Sequence, residues 1–217
     1  MPRDWDRELA ALEALVRSYP EPSVNEIKSI NGTPWSVLVS TIISLRTKDA
    51  VTLKSSINLL SLAGTPQDLM NLGEKKVAGL IYPAGFYNTK AANLIQIAHI
   101  LIESHQGQVP PDKETLMSLP GVGLKTANLV LGVGFGIPAL CVDIHVHRIA
   151  NRRGWISSDK PDLTEKLLSD ILPEKWWIPI NRLLVSYGQI ICTPVSPYCS
   201  TCPVNEDCPK IGVKKFR

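Results

Sequence analysis

No uncharged apolar run in this chain of 217 residues approaches the roughly 20 residues that cross a bilayer, so no membrane span is expected. The opening residues Met1-Pro2-Arg3-Asp4-Trp5-Asp6 carry charge at once and lack the apolar core of a secretory signal. A cytoplasmic or nucleoid setting is therefore expected, or a nucleus or organelle if the source is eukaryotic. Alternation of apolar and polar residues with period two is also missing, and the β-branched residues sit inside helical stripes. That excludes a fold built on half-buried strands and leaves an all-α one. There is no internal repeat, low-complexity stretch or heptad seam, and a monomer is expected. Strong net charge is absent too. A formal charge of +3 with a pI near 8.6 permits nucleic-acid binding without arguing for it, since markedly basic binding domains usually exceed about pI 9. Basic residues cluster only locally, at Arg148, Arg152 and Arg153 and at Lys210, Lys214, Lys215 and Arg217; a solvated face and DNA contact both fit them.

What is present is helical periodicity. Hydrophobic residues make up 44% of the chain and charged ones 20%, enough for one large or two modest cores. Asp4 to Arg17 places Trp5, Leu9, Leu12, Leu15 and Val16 on one stripe before Pro20 and Pro22. Thr33-Pro34 reads as a cap followed by proline at the first helical position. The run Trp35 to Ile43 after it is apolar on most sides, as expected at the centre of a bundle. Further helical stretches cover about 49–62, 66–72, 74–81, 88–104, 112–118, 124–133, 144–152, 162–171 and 174–190. Gly136-Ile137-Pro138 is the plausible internal seam, and the first helix could pack with either side of it.

Leu119-Pro120-Gly121-Val122-Gly123-Leu124-Lys125 carries the most chemical information. The glycines allow a tight hairpin whose N–H groups can face a phosphate, and Lys125 opens the helix that follows. Asp143 stands eighteen residues beyond that lysine, ahead of Ile144-His145-Val146-His147-Arg148. An amine beside a backbone clamp can act as a nucleophile, and an aspartate can both cap a helix and handle a proton. An ordinary inter-helix turn with a surface lysine fits Pro-Gly-Val-Gly alone equally well.

Cys192, Cys199, Cys202 and Cys208 fall within seventeen residues with spacing C-x6-C-x2-C-x5-C, among four prolines. Four thiolates on one compact loop suit a metal site rather than disulfides in a reducing compartment. The residues alone leave [4Fe–4S] and zinc both open. Cys141, in the apolar run Ala139 to Val142, reads as a small core hydrophobe.

Together, Leu119 to Ala127, Val142-Asp143 through Asn151, Gly85-Phe86-Tyr87-Asn88-Thr89-Lys90 and the four-cysteine loop resemble the endonuclease III family of helix–hairpin–helix DNA glycosylases, over nearly the whole chain. Leu80 to Phe86 and His145 to Asn151 look closest to the branch that includes the eukaryotic enzymes. The resemblance implies two helical domains with DNA in the cleft between them. A six-helix barrel with the helix–hairpin–helix would span 27–137, and 1–26 with 138–217 would form a helical domain carrying the cluster loop. It implies a [4Fe–4S] cluster on the four cysteines. The partner it implies is double-stranded DNA containing oxidised pyrimidines or abasic sites. The activity would be base removal followed by strand cleavage through a lysine Schiff base, with Lys125 as nucleophile and Asp143 as its catalytic partner. Gly121, Val122 and Gly123 would grip the backbone, and His145 could contact a phosphate.

Arg46, in Ser44-Leu45-Arg46-Thr47, stands where the family commonly has a glutamine that enters the space of the flipped base. Phe86 matches an apolar wedge position, with core packing as the plain alternative. A monofunctional mismatch glycosylase would lack Lys125. A non-catalytic DNA-binding or electron-transfer protein would need neither Lys125 nor Asp143.

Overall fold

The structure, a computed structural model, describes residues 3–217, and among them no strand occurs. No described helix is long and apolar enough to cross a membrane. The chain divides into two compact units: Pro22–Ala139, and the residues up to Glu21 together with Leu140–Arg217.

The unit 22–139 is organised around α3 (Pro34–Ser44), after α2 (Ser23–Asn31). Trp35, Val37, Leu38, Val39, Ile42 and Ile43 of α3 are all buried. The polar residues on it cost little there, because Ser40 and Thr41 donate to the carbonyls of Ser36 and Val37 at 2.7 Å each. Thr33 accepts from the Ser36 N–H and Pro34 opens the helix, the expected cap. Around it follow α4 (Asp49–Leu60), α5 (Pro66–Leu72), α6 (Glu74–Ile81), the long α7 (Tyr87–His105), α8 (Lys113–Ser118) and α9 (Leu124–Leu129). The stretch expected as one helix over 124–133 is α-helical only to Leu129. It widens into π-helical turns over Val130–Phe135, whose end lies against α3. A Cβ on Gly134 would sit 3.3 Å from Pro34 Cα, so glycine permits that close approach.

Helix α2 was not expected from periodicity. Only Val24 and Ile27 are its buried apolar residues, too few to write a stripe. Pro22 at its start and Gly32 with φ +68° at its end mark its limits, and it places residues 22–26 within this unit.

In the other unit α1 (Trp5–Val16) packs with α10 (Ile144–Arg152), α11 (Pro161–Ser169) and α12 (Pro179–Ile190). Trp5, Leu9, Leu12 and Val16 share one core with Val146, Ile149, Trp155, Leu168 and Leu184, so the first helix sides with the C-terminal segments. The expected helix 174–190 is broken into a 3₁₀ turn at Glu174–Trp176 and α12. Pro179 explains this, since it cannot donate its nitrogen to a continuing helix and instead begins a new one. Cys141 is 2% exposed and packs in the interior.

Candidate functional site

The hairpin at 119–123 is built from buried ends and a glycine centre. Leu119 and Val122 are buried, and the Val122 N–H donates to the Leu119 carbonyl at 3.1 Å. Between them Gly121 takes φ +74°, and a Cβ there would lie 2.5 Å from the Asn93 side-chain nitrogen on α7. Conformation and space both require glycine at this point. Gly121 and Gly123 are exposed, and α9 begins at once from Gly123 with no side chain capping it. The first turn of such a helix directs backbone N–H groups outward. Lys125 is half-buried on that turn.

Elsewhere in the same unit two loops meet. Arg46 and Phe86 both have positive φ, 52° and 57°, which few non-glycine residues adopt. The Arg46 guanidinium lies over the Phe86 ring, 5.7 Å from its centroid. Phe86 is 60% exposed, which removes core packing as its role. The loops touch through Gly85, where a Cβ would stand 2.5 Å from the Arg46 carbonyl oxygen. The Gly85 N–H also donates to Thr47 Oγ1 at 3.1 Å.

Beneath them is a residue that the sequence did not single out. Lys90 is 5% exposed, and its ammonium donates to the carbonyls of Ile43 and Leu45 at 2.7 and 2.6 Å and to Thr47 Oγ1 at 2.8 Å. Burial pushes its pKa down to about 8. The signal was its place four residues after Phe86, one helical turn along, but its partners lie more than forty residues away in sequence.

In the second unit Asp143 is 8% exposed and caps α10, its Oδ1 accepting the N–H groups of His145 and Val146 at 2.9 Å each. The carboxylate is thereby held in one orientation. His145 is half-buried, with its Nδ1 3.1 Å from an Arg148 amino group. Arginine can only donate, so this contact places the imidazole proton on Nε2. His147 Nδ1 meets Thr164 Oγ1 at 2.7 Å, within the packing of α11.

The four cysteines Cys192, Cys199, Cys202 and Cys208 line one pocket together with Arg152 and Tyr187. Tyr187 Oη lies 2.9 Å from Cys202 Sγ, and burial raises its phenol above the usual range. Arg152 donates to Cys192 Sγ at 3.5 Å and to the Thr193 carbonyl at 2.7 Å, and Arg148 donates to the Cys192 carbonyl at 2.9 Å. Burial pushes the thiols of Cys192 and Cys199 up, and the Arg152 hydrogen bond opposes this at Cys192. Among the described residues no three His, Cys, Asp or Glu side chains converge as ligands of a single ion. An arginine donor on one sulfur and a phenol hydroxyl beside a second are groups that thiolates can use, so this set fits a thiolate-bound metal group.

Residues 39–174 match the description of the HhH-GPD superfamily base excision DNA repair proteins. The chain is 46% identical to an endonuclease III of Thermotoga maritima over 81% of its own length and 82% of the relative's. It is 37% identical to endonuclease III homolog 2, chloroplastic, of Arabidopsis thaliana over 96% of itself but 58% of that longer protein. Among solved structures, an endonuclease III trapped as a covalent intermediate with DNA superposes with a TM-score of 0.77 at 31% identity, covering 86% of this chain and 92% of the other. With a family match over more than half of its residues and relatives at these identities, the chain belongs to the HhH-GPD superfamily of base excision DNA repair proteins, among the endonuclease III DNA glycosylases and AP lyases.

Proposed function

We propose that this DNA glycosylase removes oxidised pyrimidines from duplex DNA and then cleaves the strand by β-elimination, with Lys125 as nucleophile. The observation that carries the proposal is the placement of Lys125 on the first turn after the Gly121-Val122-Gly123 hairpin. Hairpin amides facing phosphates grip the backbone. The damaged nucleotide leaves the stack at a cost of a few kcal/mol, and Arg46 and Phe86 enter the space it vacates. The Lys125 amine attacks C1′; the N–C1′ bond forms as the glycosidic bond breaks and the base departs. Asp143 accepts the proton released by the amine and offsets the positive charge that develops on the sugar. The adduct opens to a Schiff base. Loss of a C2′ proton then expels the 3′ phosphate, and the strand is cut. His145, carrying its proton on Nε2, serves as a phosphate donor.

Cys192, Cys199, Cys202 and Cys208 would hold a [4Fe–4S] cluster, and when bound it supplies metal–thiolate bonds that fold the loop. The spacing of the four cysteines, which resembles that of the endonuclease III family, supports this over zinc. The enzyme acts as a monomer in the compartment that holds its DNA.

Borohydride trapping tests the proposal. A duplex with an oxidised pyrimidine should yield a covalent adduct with the protein, and Lys125→Gln should abolish both adduct and strand cleavage while damaged-DNA binding persists. An adduct of undiminished yield from Lys125→Gln means that the nucleophile lies elsewhere.

A further inference from the structure

Among the described residues no carboxylate pairs with the buried ammonium of Lys90. All three of its donors go to oxygens of the segment that leaves α3, at Ile43, Leu45 and Thr47. Two of those acceptors are carbonyls at the end of a helix, where backbone oxygens have no partner within it and where positive charge is favoured. The third, Thr47 Oγ1, also receives the Gly85 N–H from the other loop. One side chain on α7 therefore fastens the strained turn that presents Arg46 to the strained turn that presents Phe86. Gly85 closes the remaining gap, because only a residue without Cβ can rest on the Arg46 carbonyl.

We infer that Lys90 is a positioning residue for DNA opening. It holds Arg46 and Phe86 side by side as a preassembled wedge, so the two enter the gap together and little order has to be imposed when DNA binds. The inference rests on the proposal above that Arg46 and Phe86 occupy the space left by the flipped nucleotide. Burying an ammonium to tie two surface loops is costly for stability alone, since an apolar side chain of similar length would fill the same volume. What Lys90 provides and an apolar residue cannot is three directed bonds into a loop holding a non-glycine residue at φ 52°.

The test uses the whole protein bound to duplexes in which 2-aminopurine lies opposite a stable abasic analogue, so that entry of the wedge unstacks the probe and raises its fluorescence. Lys90→Met should lose at least half of that rise and slow single-turnover removal of a paired oxidised pyrimidine by about tenfold. Cleavage of a preformed abasic site, where no base remains to be expelled, should stay within about twofold of the wild type. Phe86→Ala should show the same fluorescence loss, and Lys90→Met/Phe86→Ala should be no slower than Phe86→Ala alone, because both act on one wedge. Should Lys90→Met fail to fold, Thr47→Val removes the shared hydroxyl and should give the same pattern at about threefold.

A Lys90→Met protein that melts earlier but keeps the full fluorescence rise and rate overturns the inference, leaving Lys90 as a helix clamp. Losses that multiply in the double variant overturn it as well. If Phe86→Ala itself leaves the fluorescence rise intact, the wedge reading of Arg46 and Phe86 fails first, and the role of Lys90 falls with it.

Discussion

Arg46 replaces an amide that both donates and accepts with a guanidinium that only donates. On the proposal that it enters the gap opposite a lesion, it meets two adjacent acceptors on guanine, O6 and N7, where adenine offers N7 beside an N6 donor. Each good base contact discriminates by about 1–3 kcal/mol. Single-turnover rates should therefore favour a lesion opposite guanine over the same lesion opposite adenine, and Arg46→Gln should flatten the difference; equal wild-type rates would reduce Arg46 to a backbone contact. Lys90 makes a separate prediction about stability. Its pKa, about 8 in the fold, lies below the 10.5 of the unfolded chain, so between these values the unfolded state binds more protons. Stability must then rise with pH across this window and be lost again as pH falls through about 8. Relative to Lys90→Met, wild-type protein should gain in thermal denaturation midpoint from pH 8 to pH 10, and parallel curves would show that the ammonium is not desolvated. These two residues differ in legibility. Arg46 stood out in the sequence because it departs from a pattern, and for Phe86 exposure alone separates the proposed wedge from core packing. Lys90 was invisible as a buried cation, because its acceptors are backbone oxygens that no residue identity announces.

Helix α7 joins two features that their separation along the chain does not connect. Lys90 near its start ties down the turn that carries Arg46, and Asn93 less than one turn later covers Gly121 of the hairpin. Replacing Gly121 with alanine combines two penalties, a Cβ 2.5 Å from the Asn93 amide nitrogen and a φ of +74°. Strain of this kind costs about 1–3 kcal/mol, and the clash adds to it. Gly121→Ala should destabilise the protein and, on the proposal that the hairpin grips phosphates rather than bases, weaken binding to all duplexes alike. Adding Asn93→Ala should recover the clash but not the backbone strain, giving partial rescue in denaturant titrations. Full rescue would mean that φ imposes nothing here. The limits of sequence reading also lie at this scale. Helices with a broad apolar stripe, such as α1 and α3, were legible almost to the residue. Short, polar α2 was not, because its place is set by contacts with α3 and α4 rather than by its own pattern. The π-helical turns after α9 escaped for a related reason: their widening answers the packing of Gly134 on Pro34, and no local signal encodes that partner.

Three distant segments of the chain meet at one buried ion pair in the unit that carries the cysteines. Glu8 on α1 accepts from Arg153 Nε at 2.6 Å and from Trp155 Nε1 at 3.1 Å, while Arg153 Nη1 donates to the Val204 carbonyl at 2.7 Å. Val204 lies between Cys202 and Cys208, so the first helix is tied through two side chains to the backbone of the cysteine loop. Burial alone would weaken the charge on Arg153, which is 2% exposed, but Glu8 and Cys208 together offset this, and the Arg153 pKa stands above the ordinary value. Breaking such a pair from one side leaves an uncompensated buried cation, at a cost of about 3–5 kcal/mol. Glu8→Gln keeps the shape and removes the charge, and should lower the denaturation midpoint strongly. The consequence for the loop is more specific. Wild-type protein purified without oxygen should contain four irons and four sulfides per chain, given four thiolate ligands. Glu8→Gln should lose iron on mild warming at temperatures where the 22–139 unit still resists proteolysis, because Arg153 no longer holds Val204 and the loop opens around its ligands. Iron retained up to the midpoint of global unfolding would show that the cysteine loop holds itself together and that α1 contributes only apolar packing. One stoichiometric zinc in place of iron would instead overturn the assignment of the cluster, and leave the Glu8–Arg153 link to be judged by stability alone.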